Sequence, residues 1–413
     1  MTTSETTSET TSETTDTSTT TPGRPTERRG HVAELLSATV ARQPDAVALR
    51  IGEARMTYRE LDQVTAATAG WLRHRGVGPG DRVAVLLPNV PAFVAVYEAL
   101  MRLGAVMVPL NPLFTARKLE YFLEDSGARM LWAMPGLPAV AEVAGNVDVE
   151  VVTLDLEAVG RECAAEGIAP VTEITPRDPD DDAVLLYTSG TTGRPKGARL
   201  THTNLRSNAM ATATGLGRLG PDDVVFAALP MFHVFGLSVV LNGAVFAGST
   251  LSLMPRFEPA AAYDQLQDHG VTFLPGVPTM HGAFLTVARA RREAGAAPAD
   301  FSRLRMPLSG GASLPVETLH AAEKLYGVPV FEGYGLSENA GACFFNPVDA
   351  PTRPGTVGRP VDGFEFRIVA IGLTPFRRSS RYESRPVARG RGQGDWSDHD
   401  EQQEASHPRA GRP

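Results

Sequence analysis

The sequence predicts an α/β protein made of two layered α/β subdomains in tandem, followed by an incomplete β-barrel, with disordered segments at both termini. Short apolar runs alternate with amphipathic helical stretches, which is typical of parallel sheets that helices cover on both faces. The alternation occurs on both sides of Pro176–Asp182, an acidic segment with prolines that has the composition of a connector. Within Val357–Val369 the residues Phe364, Phe366 and Ile368 alternate, which indicates an antiparallel strand.

The first subdomain is predicted to cover residues 31–180. A helical stripe begins near His31, and the capping box Thr57–Glu60 marks the start of a second helix that ends near Gly76. The other predicted elements are strand Arg82–Leu87, a helix from Asn89 to Leu103, strand Val106–Leu110, helix Ala116–Glu124 and strand Met130–Ala133.

The second subdomain is predicted to cover residues 181–334, and residues 335–369 are assigned to the partial barrel. The predicted strands are Ala183–Tyr187, Val224–Ala228, Thr250–Leu253, one at Phe273, Arg305–Ser309 and Val330–Tyr334. The predicted helices are Thr203–Thr212, Leu237–Phe246, Ala260–His269, Thr279–Ala294 and Val316–Leu325.

Both termini lack the residues that a core requires. Residues 1–30 are a low-complexity Thr-Ser-Glu segment, and residues 370–413 contain almost no aliphatic side chains and no hydrophobic period. Neither segment can bury enough apolar surface to offset the entropy of ordering, so we expect both to be disordered.

Composition excludes several classes of protein. A formal net charge of −8 gives no basic footprint for nucleic acid. Cys163 and Cys343 are far apart in sequence, which argues against a disulfide scaffold or a cysteine-rich metal site. The apolar stretch Phe232–Val245 is too short and too polar for a membrane span, and no apolar signal segment opens the chain. We therefore expect a cytoplasmic protein without a membrane span.

The segment Tyr187–Gly197, YTSGTTGRPKG, carries the strongest chemical signal. Glycines and small hydroxyl residues in one loop let backbone N–H groups converge on an anion, and Lys196 adds a mobile cation. The only lysines in the chain are Lys118, Lys196 and Lys324, so a lysine inside this loop is notable. The loop suits a polyphosphate, but it is not a Walker A loop, because Gly197 follows the lysine.

Two other nucleotide and hydrolase patterns are not supported. Gly215, Gly217 and Gly220 form GxGxxG, but the strand–turn–helix context of a dinucleotide site is missing around them. No GxSxG nucleophile elbow occurs in the sequence.

YTSGTTGRPKG resembles the phosphate-binding signature of the AMP-forming adenylate superfamily, which contains acyl-CoA synthetases such as fatty-acid–CoA ligases. Other segments are similar to motifs of this family in the expected order, and the resemblance spans roughly residues 31–369. They are NPLFTARKLEYFLED at Asn111–Asp125, PMFHVFGL at Pro230–Leu237, SGGASL at Ser309–Leu314 and FEGYGLSE at Phe331–Glu338.

The resemblance implies a role for each matching position. It implies catalytic roles for Lys196, Ser337, Glu338 and His233, and a magnesium ligand at Glu338. Considered alone, His233 in its apolar run is as consistent with a satisfied core histidine as with a gate to the acyl pocket. The implied ATP phosphate-binding residues are Thr188, Ser189, Gly190, Thr191, Thr192, Gly193 and Lys196. The implied adenine-binding residues are Gly310, Gly311, Ala312, Glu332, Gly333 and Tyr334, and the implied acyl pocket comprises His233, Phe235, Leu237, Val277 and Met280.

The sequence departs from the family after Val369. Full-length relatives continue with a TGD motif and a mobile C-terminal domain that carries a catalytic lysine. Here no TGD occurs, and no lysine follows Lys324. We interpret residues 370–413 as the product of a reading-frame shift. We expect nucleotide or acyl binding, severely reduced adenylation and essentially no thioester formation.

Three functions remain open at this stage. The first is an acyl-CoA synthetase that uses ATP, Mg²⁺ and coenzyme A to activate a fatty or other apolar carboxylic acid. The second is a non-catalytic remnant that binds ATP or acyl groups without turnover. The third is an oxidoreductase of luciferase type, which no residue favours over the ligase.

Overall fold

Two β-sheets wrapped by helices form the protein. The computed structural model describes residues 28–153, 155–188 and 194–366. The predicted disordered segments, 1–30 and 370–413, lie outside these ranges except for residues 28–30. Within residues 28–30, Arg29 Nη2 donates a 3.0 Å hydrogen bond to the Asp180 carboxylate.

The described residues contain strands β1 to β15 and helices α1 to α11, joined by short π-helical and 3₁₀ segments. The strands are β1 Val47–Ile51, β2 Ala54–Thr57, β3 Arg82–Leu86, β4 Val106–Pro109, β5 Met130–Ala133, β6 Glu150–Val152, β7 Asp182–Thr188, β8 Lys196–Thr201, β9 Val224–Ala227, β10 Thr250–Leu253, β11 Phe273–Gly276, β12 Met306–Ser309, β13 Phe331–Leu336, β14 Gly341–Phe345 and β15 Arg359–Pro360. The helices are α1 Glu34–Arg42, α2 Tyr58–His74, α3 Pro91–Leu103, α4 Ala116–Ser126, α5 Pro138–Val143, α6 Leu156–Glu166, α7 His202–Ala211, α8 Gly243–Ala247, α9 Pro259–Asp268, α10 Pro278–Glu293 and α11 Val316–Tyr326. The π-helical segments are Thr212–Leu216 and Phe235–Asn242, and the 3₁₀ turn is Ser337–Asn339.

Both sheets are mostly parallel, and their antiparallel pairs lie toward the edges. The six-stranded sheet has the order β6-β5-β3-β4-β7-β8, and only the β7–β8 pair is antiparallel. The nine-stranded sheet has the order β15-β14-β13-β12-β11-β9-β10-β1-β2, with antiparallel pairs at both ends. This mixed α/β architecture confirms the predicted fold class, although the described residues form no closed barrel.

The strands do not join the sheets in chain order. The early hairpin β1–β2 lies beside β10, with Leu49 opposite Leu251, so it belongs to the later sheet. Strand β7 lies beside β4, with Val184 opposite Met107, so it belongs to the earlier sheet. Periodicity in the sequence identifies a strand but not its partner, and the predicted subdomain limits remain predictions.

Local signals were the most accurate predictors of the elements. The Thr57–Glu60 capping box is present, because Thr57 Oγ1 accepts from the Glu60 N–H and the Glu60 carboxylate accepts from the Thr57 N–H. Strand β5 and strand β10 have the bounds that the sequence predicts. The sequence patterns did not predict the hairpin β1–β2, the short elements α5 and β6, helix α6, or strands β8, β14 and β15.

Two predicted elements differ from the structure. The helix predicted at Leu237–Phe246 begins earlier, as the π-helical segment at Phe235–Asn242. The antiparallel strand predicted within Val357–Val369 is not formed by its described residues 364–366, because no ladder pairs with them. Instead the rings of Phe344 and Phe366 pack with their centroids 3.9 Å apart.

Asn89, buried just after β3, connects the two sheets. Its Nδ2 donates to the carbonyl oxygens of Ala227 and Leu229, each at 2.8 Å, and its Oδ1 accepts from the Met231 N–H at 2.9 Å. These three hydrogen bonds satisfy the buried side-chain amide of Asn89. They fix the segment after β9 against the end of β3. Within residues 28–153, 155–188 and 194–366, none of the helices is long and apolar enough to cross a bilayer.

Candidate active site

A cavity of about 850 Å³ opens at the carboxyl ends of several strands of the nine-stranded sheet. Ligands of open α/β sheets bind at this edge, because the loops that follow parallel strands meet there. Segments far apart in sequence meet at the cavity. The residues that line it include Thr188, Lys196, Gly197, Ala198, Leu216, Leu229, Pro230, His233, Val234, Phe235, Gly236, Val239, Val277, Leu308, Gly310, Gly311, Gly333, Tyr334, Gly335, Leu336, Ser337, Glu338, Gly341, Ala342 and Phe345.

The glycine- and hydroxyl-rich loop connects β7 to β8, and both of its ends face the cavity. Thr188 and Lys196 are paired residues of the antiparallel ladder, and the Thr188 hydroxyl donates to the Lys196 carbonyl oxygen at 3.5 Å. The Lys196 side chain is exposed, so its ammonium is free to move toward a ligand. The predicted phosphate-binding residues between these ends, Ser189, Gly190, Thr191, Thr192 and Gly193, lie outside the described residues.

Helix α4 holds the same loop from outside the cavity. The Tyr121 hydroxyl donates to the Pro195 carbonyl oxygen at 3.0 Å, and the Tyr187 hydroxyl donates to Asp125 Oδ2 at 2.5 Å. Desolvation, together with the bond to Asp125, raises the pKa of Tyr187. Sequence reasoning gave Asn111–Asp125 no function, and its only signal was the resemblance of the whole stretch to a family motif.

The turn after β12 allows the backbone to approach its neighbours closely. A Cβ at Gly310 would lie 3.0 Å from Phe235 Cε1 and 3.3 Å from the Gly333 carbonyl oxygen. Gly311 has a φ of +78°, a conformation that side chains rarely adopt. The sequence SGG therefore produces a flat wall of the cavity. Phe235 packs against this wall at Gly310, and a methyl group of Val277 lies beside Gly311.

The β13–β14 hairpin supplies one polar side of the cavity. Tyr334 is 43% exposed and its ring centroid lies 6.3 Å from that of Phe344. The 3₁₀ turn places Ser337, half-buried, and Glu338, exposed, on the cavity lining. The turn closes through Ala340, a buried non-glycine residue with a φ of +58°.

Asn208 on α7 supports this hairpin from behind. Its Nδ2 donates to the Ala342 carbonyl oxygen at 2.9 Å, and its Oδ1 accepts from the Ser238 hydroxyl at 3.3 Å. The side chain is fully buried, so these bonds join β14 to the second π-helical segment in a water-free setting. Sequence reasoning missed this residue, because a single asparagine in a helix carries no signal.

Several predicted adenine and acyl residues do not line the cavity. Ala312 is absent from its lining, and Leu237 and Met280 are buried in the core with 0% and 5% exposure. Glu332 is also buried, and its carboxylate accepts a 3.1 Å hydrogen bond from the Gly355 N–H. Desolvation raises the pKa of Glu332. Through this hydrogen bond Glu332 holds the backbone beside the cavity.

His233 lies at the cavity and not in the core. Its side chain is exposed, and Phe235 is half-buried two residues further along. Desolvation by the surrounding protein lowers the pKa of His233, which favours the neutral imidazole. A neutral imidazole at this place can accept or donate one hydrogen bond without repelling Lys196.

The described residues hold no ready-made metal centre, since no three potential protein ligands cluster among them. Glu338 is the one acidic side chain among the described residues of the lining. Mg²⁺ usually binds through one or two carboxylates plus substrate phosphates. The residues therefore fit a magnesium ion that arrives with a nucleotide, with Glu338 as its protein ligand.

The fold matches that of N-terminal domains of adenylate-forming enzymes, and a family model covers most of the chain. Residues 36–378 match the model described as AMP-binding enzyme, and the chain belongs to that family.

Curated relatives and solved structures agree with this assignment. The chain is 30% identical to the long-chain-fatty-acid–CoA ligase of Bacillus subtilis, over 79% of this chain and 63% of the relative. It is 36% identical to a feruloyl-CoA synthase of an Amycolatopsis species, over 77% of this chain and 62% of the relative. The chain thus spans about 63% of the length of the curated relatives it matches.

Among solved structures, the anthranilate CoA ligase AuaEII in complex with anthranoyl-AMP matches with a TM-score of 0.76 at 25% identity, covering 83% of this chain and 66% of that one. The ATP-bound MatB of Rhodopseudomonas palustris matches with a TM-score of 0.70 at 32% identity, covering 80% and 64%. The N-terminal domain of FACL13 from Mycobacterium tuberculosis matches with a TM-score of 0.72 at 25% identity, covering 81% and 83%.

Proposed function

We propose that the cavity activates a carboxylic acid with ATP, forms an acyl-adenylate and passes the acyl group to the thiol of coenzyme A. One observation carries the proposal: Lys196, His233, Gly310, Tyr334 and Glu338, from distant parts of the chain, all line one cavity. A nucleotide and an apolar acid require a mobile cation, a carboxylate, an exposed aromatic ring and an apolar interior.

The first half-reaction is nucleophilic substitution at phosphorus. A carboxylate oxygen of the acid forms a bond to the α-phosphorus, and the bond from that phosphorus to the bridging oxygen of the β-phosphate breaks. Pyrophosphate leaves with the bonding electron pair. Negative charge grows on the phosphate oxygens, and the Lys196 ammonium stabilises it. The Ser337 hydroxyl at the β13–β14 turn lines the cavity, and its proposed role is to donate a hydrogen bond to an α-phosphate oxygen.

The nucleotide and its magnesium ion are held by opposite sides of the cavity. The flat wall of Gly310 and Gly311 leaves room for the adenine ring, and Tyr334 supplies a stacking surface. When bound, the magnesium ion neutralises phosphate charge, and Glu338 would hold it. The neutral His233 lies where it can position the carboxylate of the acid.

The second half-reaction exchanges AMP for sulfur. A thiolate attacks the acyl carbonyl carbon, the bond to the adenylate oxygen breaks and AMP leaves. Cys163 and Cys343 are both buried in the protein, so the thiol comes from the acceptor. Lys196 is the one lysine among the described residues of the lining, and we expect adenylation to depend on it.

Carboxylate-dependent exchange of labelled pyrophosphate into ATP tests the first half-reaction. The experiment uses the 413-residue chain, MgATP and a panel of fatty and aromatic acids, with an acid-free sample as the control. Exchange that depends on the acid supports the proposal. Binding of MgATP without exchange for any acid supports the second candidate, a protein that binds ATP or acyl groups without turnover.

A further inference from the structure

We propose that Asn208 on helix α7 is the positioning residue for Glu338, and that the binding of a magnesium–nucleotide depends on it. Asn208 does not line the cavity and acts through the β13–β14 hairpin. The inference rests on the proposed function and deepens it, because it identifies the group that holds the magnesium ligand in place.

The position of the Glu338 carboxylate depends on the turn that carries it. Glu338 is exposed and lies in the 3₁₀ turn Ser337–Asn339. The next residue, Ala340, is buried with a φ of +58°, and its N–H donates to the Ser337 carbonyl oxygen at 3.1 Å. A non-glycine residue keeps this left-handed conformation only where the surrounding structure holds it there. The turn therefore needs support from outside the hairpin.

Asn208 supplies this support directly after the turn. Its Nδ2 donates a 2.9 Å hydrogen bond to the Ala342 carbonyl oxygen. In the hairpin ladder Ala342 lies opposite Gly335. Gly341 lies opposite Leu336, the last residue before the turn. The bond from Asn208 thus fixes the end of the hairpin from which the turn projects.

The backbone of Gly341 is seated against Asn208 and Ser238. A Cβ at Gly341, whose φ is +132°, would lie 2.6 Å from Asn208 Oδ1 and 3.4 Å from Ser238 Cβ. The Ser238 hydroxyl donates to the same Oδ1 at 3.3 Å. Asn208 and Ser238 are 1% and 0% exposed, so solvent does not compensate for the loss of these contacts.

Ser238 extends the connection to the wall of the cavity. It belongs to the π-helical segment Phe235–Asn242, and its neighbours Phe235 and Val239 line the cavity. Asn208 therefore joins the turn that carries Glu338 to this part of the wall. A group that orients a metal ligand without touching the metal changes metal affinity about 10- to 100-fold, and this is the effect we expect of Asn208.

The test measures how much Mg²⁺ tightens the binding of ATP. Calorimetry gives the dissociation constants of the 413-residue chain for ATP with excess Mg²⁺ and for ATP with EDTA, and their ratio is the magnesium gain. We expect the magnesium gain to fall about tenfold in Asn208→Ala. A side chain that only stabilises the fold would change Tm and leave this ratio unaltered.

Asn242→Ala is the matched control. Asn242 is also 1% exposed, and its Nδ2 donates to the Tyr97 hydroxyl on α3 at 3.0 Å. We expect this variant to have a lower Tm and the wild-type magnesium gain. Ser238→Ala deletes only the hydroxyl that bonds to Asn208, and it should reduce the gain by about threefold. Ser238→Ala decides the question if circular dichroism shows that Asn208→Ala does not fold.

A double-mutant cycle tests whether Asn208 acts through Glu338. In Glu338→Gln the magnesium gain is already lost, so adding Asn208→Ala or Ser238→Ala should reduce it no further. An unchanged gain in the single variants, an equal fall in Asn242→Ala or a further fall in the double variants would overturn the inference. If the wild type binds ATP without any magnesium gain, the inference fails and nucleotide binding stands. If the wild type binds ATP under neither condition, the proposed function fails with it.

Discussion

The hydroxyl of Tyr187 donates a 2.5 Å hydrogen bond to Asp125 Oδ2, across 62 positions of sequence. Tyr187 is the last residue before Thr188, where the loop facing the cavity begins, and Asp125 is on helix α4. The same helix holds the other end of the loop, because Tyr121 bonds to the Pro195 carbonyl oxygen. The two hydrogen bonds therefore fasten both described ends of the loop to helix α4, and each fixed end reduces the entropy cost of binding a ligand there.

Removing one of these anchors should weaken nucleotide binding more than it weakens the fold. Tyr121→Phe deletes the hydroxyl and keeps the ring that packs on Phe122. Loss of one hydrogen bond of about 1 kcal/mol predicts roughly fivefold weaker binding of MgATP, measured by calorimetry. Tyr263→Phe removes a hydroxyl on α9 away from the cavity and should leave the affinity unchanged. Equal losses in the two variants would show that the α4 anchor has no special effect on the loop.

The close packing at Gly310 predicts a second effect on ligand binding. Gly310→Ala places a Cβ at 3.0 Å from Phe235 Cε1, so the phenyl ring or the loop must shift. Overpacking of this kind costs about 1–3 kcal/mol, and we expect lower MgATP affinity together with lower stability in urea.

The control for this substitution is Gly282→Ala on helix α10, where the added Cβ meets nothing within 4 Å. A helical glycine replaced by alanine should raise the free energy of unfolding by about 0.5–1 kcal/mol. MgATP affinity should stay at the wild-type value. If Gly310→Ala binds MgATP as tightly as Gly282→Ala does, the flat wall is not part of the nucleotide site.

The sequence predicts the local features of the fold better than its long-range geometry. The Thr57–Glu60 cap is encoded within four residues, and the structure confirms it. The β1–β10 pairing brings Leu49 beside Leu251, and no pattern in either strand specifies that partner.

The same difference between local and long-range information applies to the cavity. The motifs that contain Lys196, Gly310 and Tyr334 are recognisable in the sequence, and the structure brings them to one place. Glu332 lies within a predicted motif but is buried and does not line the cavity, and its carboxylate instead accepts a hydrogen bond from the Gly355 N–H. The supporting roles of Tyr121 and Asn208 depend on partners 74 and 134 positions away, so only the fold reveals them.

A stacked pair of buried histidines predicts acid sensitivity. The rings of His31 and His202 lie with centroids 3.8 Å apart at the start of α7. Desolvation, reinforced by Arg177 and Arg206, lowers the pKa of His31 to about 4. Desolvation, with His31 and Arg177, lowers the pKa of His202 to about 3. The charged side chains that face the two histidines are Arg177 and Arg206, and both are basic. Arg206 also forms an ion pair with Glu34, and Arg177 forms one with Asp181.

Because the folded-state values lie below the ordinary value of 6.5, the unfolded chain takes up protons first as the pH falls. Stability is therefore full above pH 6.5 and falls between pH 6.5 and about 4, by roughly 3 kcal/mol for His31 alone. His202→Phe keeps a stacked ring without a titrating group, and we expect a shallower loss of Tm between pH 7.5 and 5. A His202→Phe profile parallel to the wild-type profile would contradict the role of the pair.

The three lysines of the chain make a direct test of the nucleotide site. Lys196 lines the cavity, whereas Lys118 on α4 and Lys324 on α11 do not. A hydrogen bond to a charged group contributes about 1.5–3 kcal/mol, so Lys196→Ala should bind MgATP roughly 10- to 100-fold more weakly. Lys118→Ala and Lys324→Ala should bind as the wild type does, and Lys196→Arg should recover part of the affinity because it keeps the positive charge. Calorimetric titration with MgATP measures all four variants, with circular dichroism to confirm their folding. Identical affinities for Lys196→Ala and Lys324→Ala would remove the phosphate contact from the proposed mechanism, since the two variants lose the same charge and differ only in where they lose it.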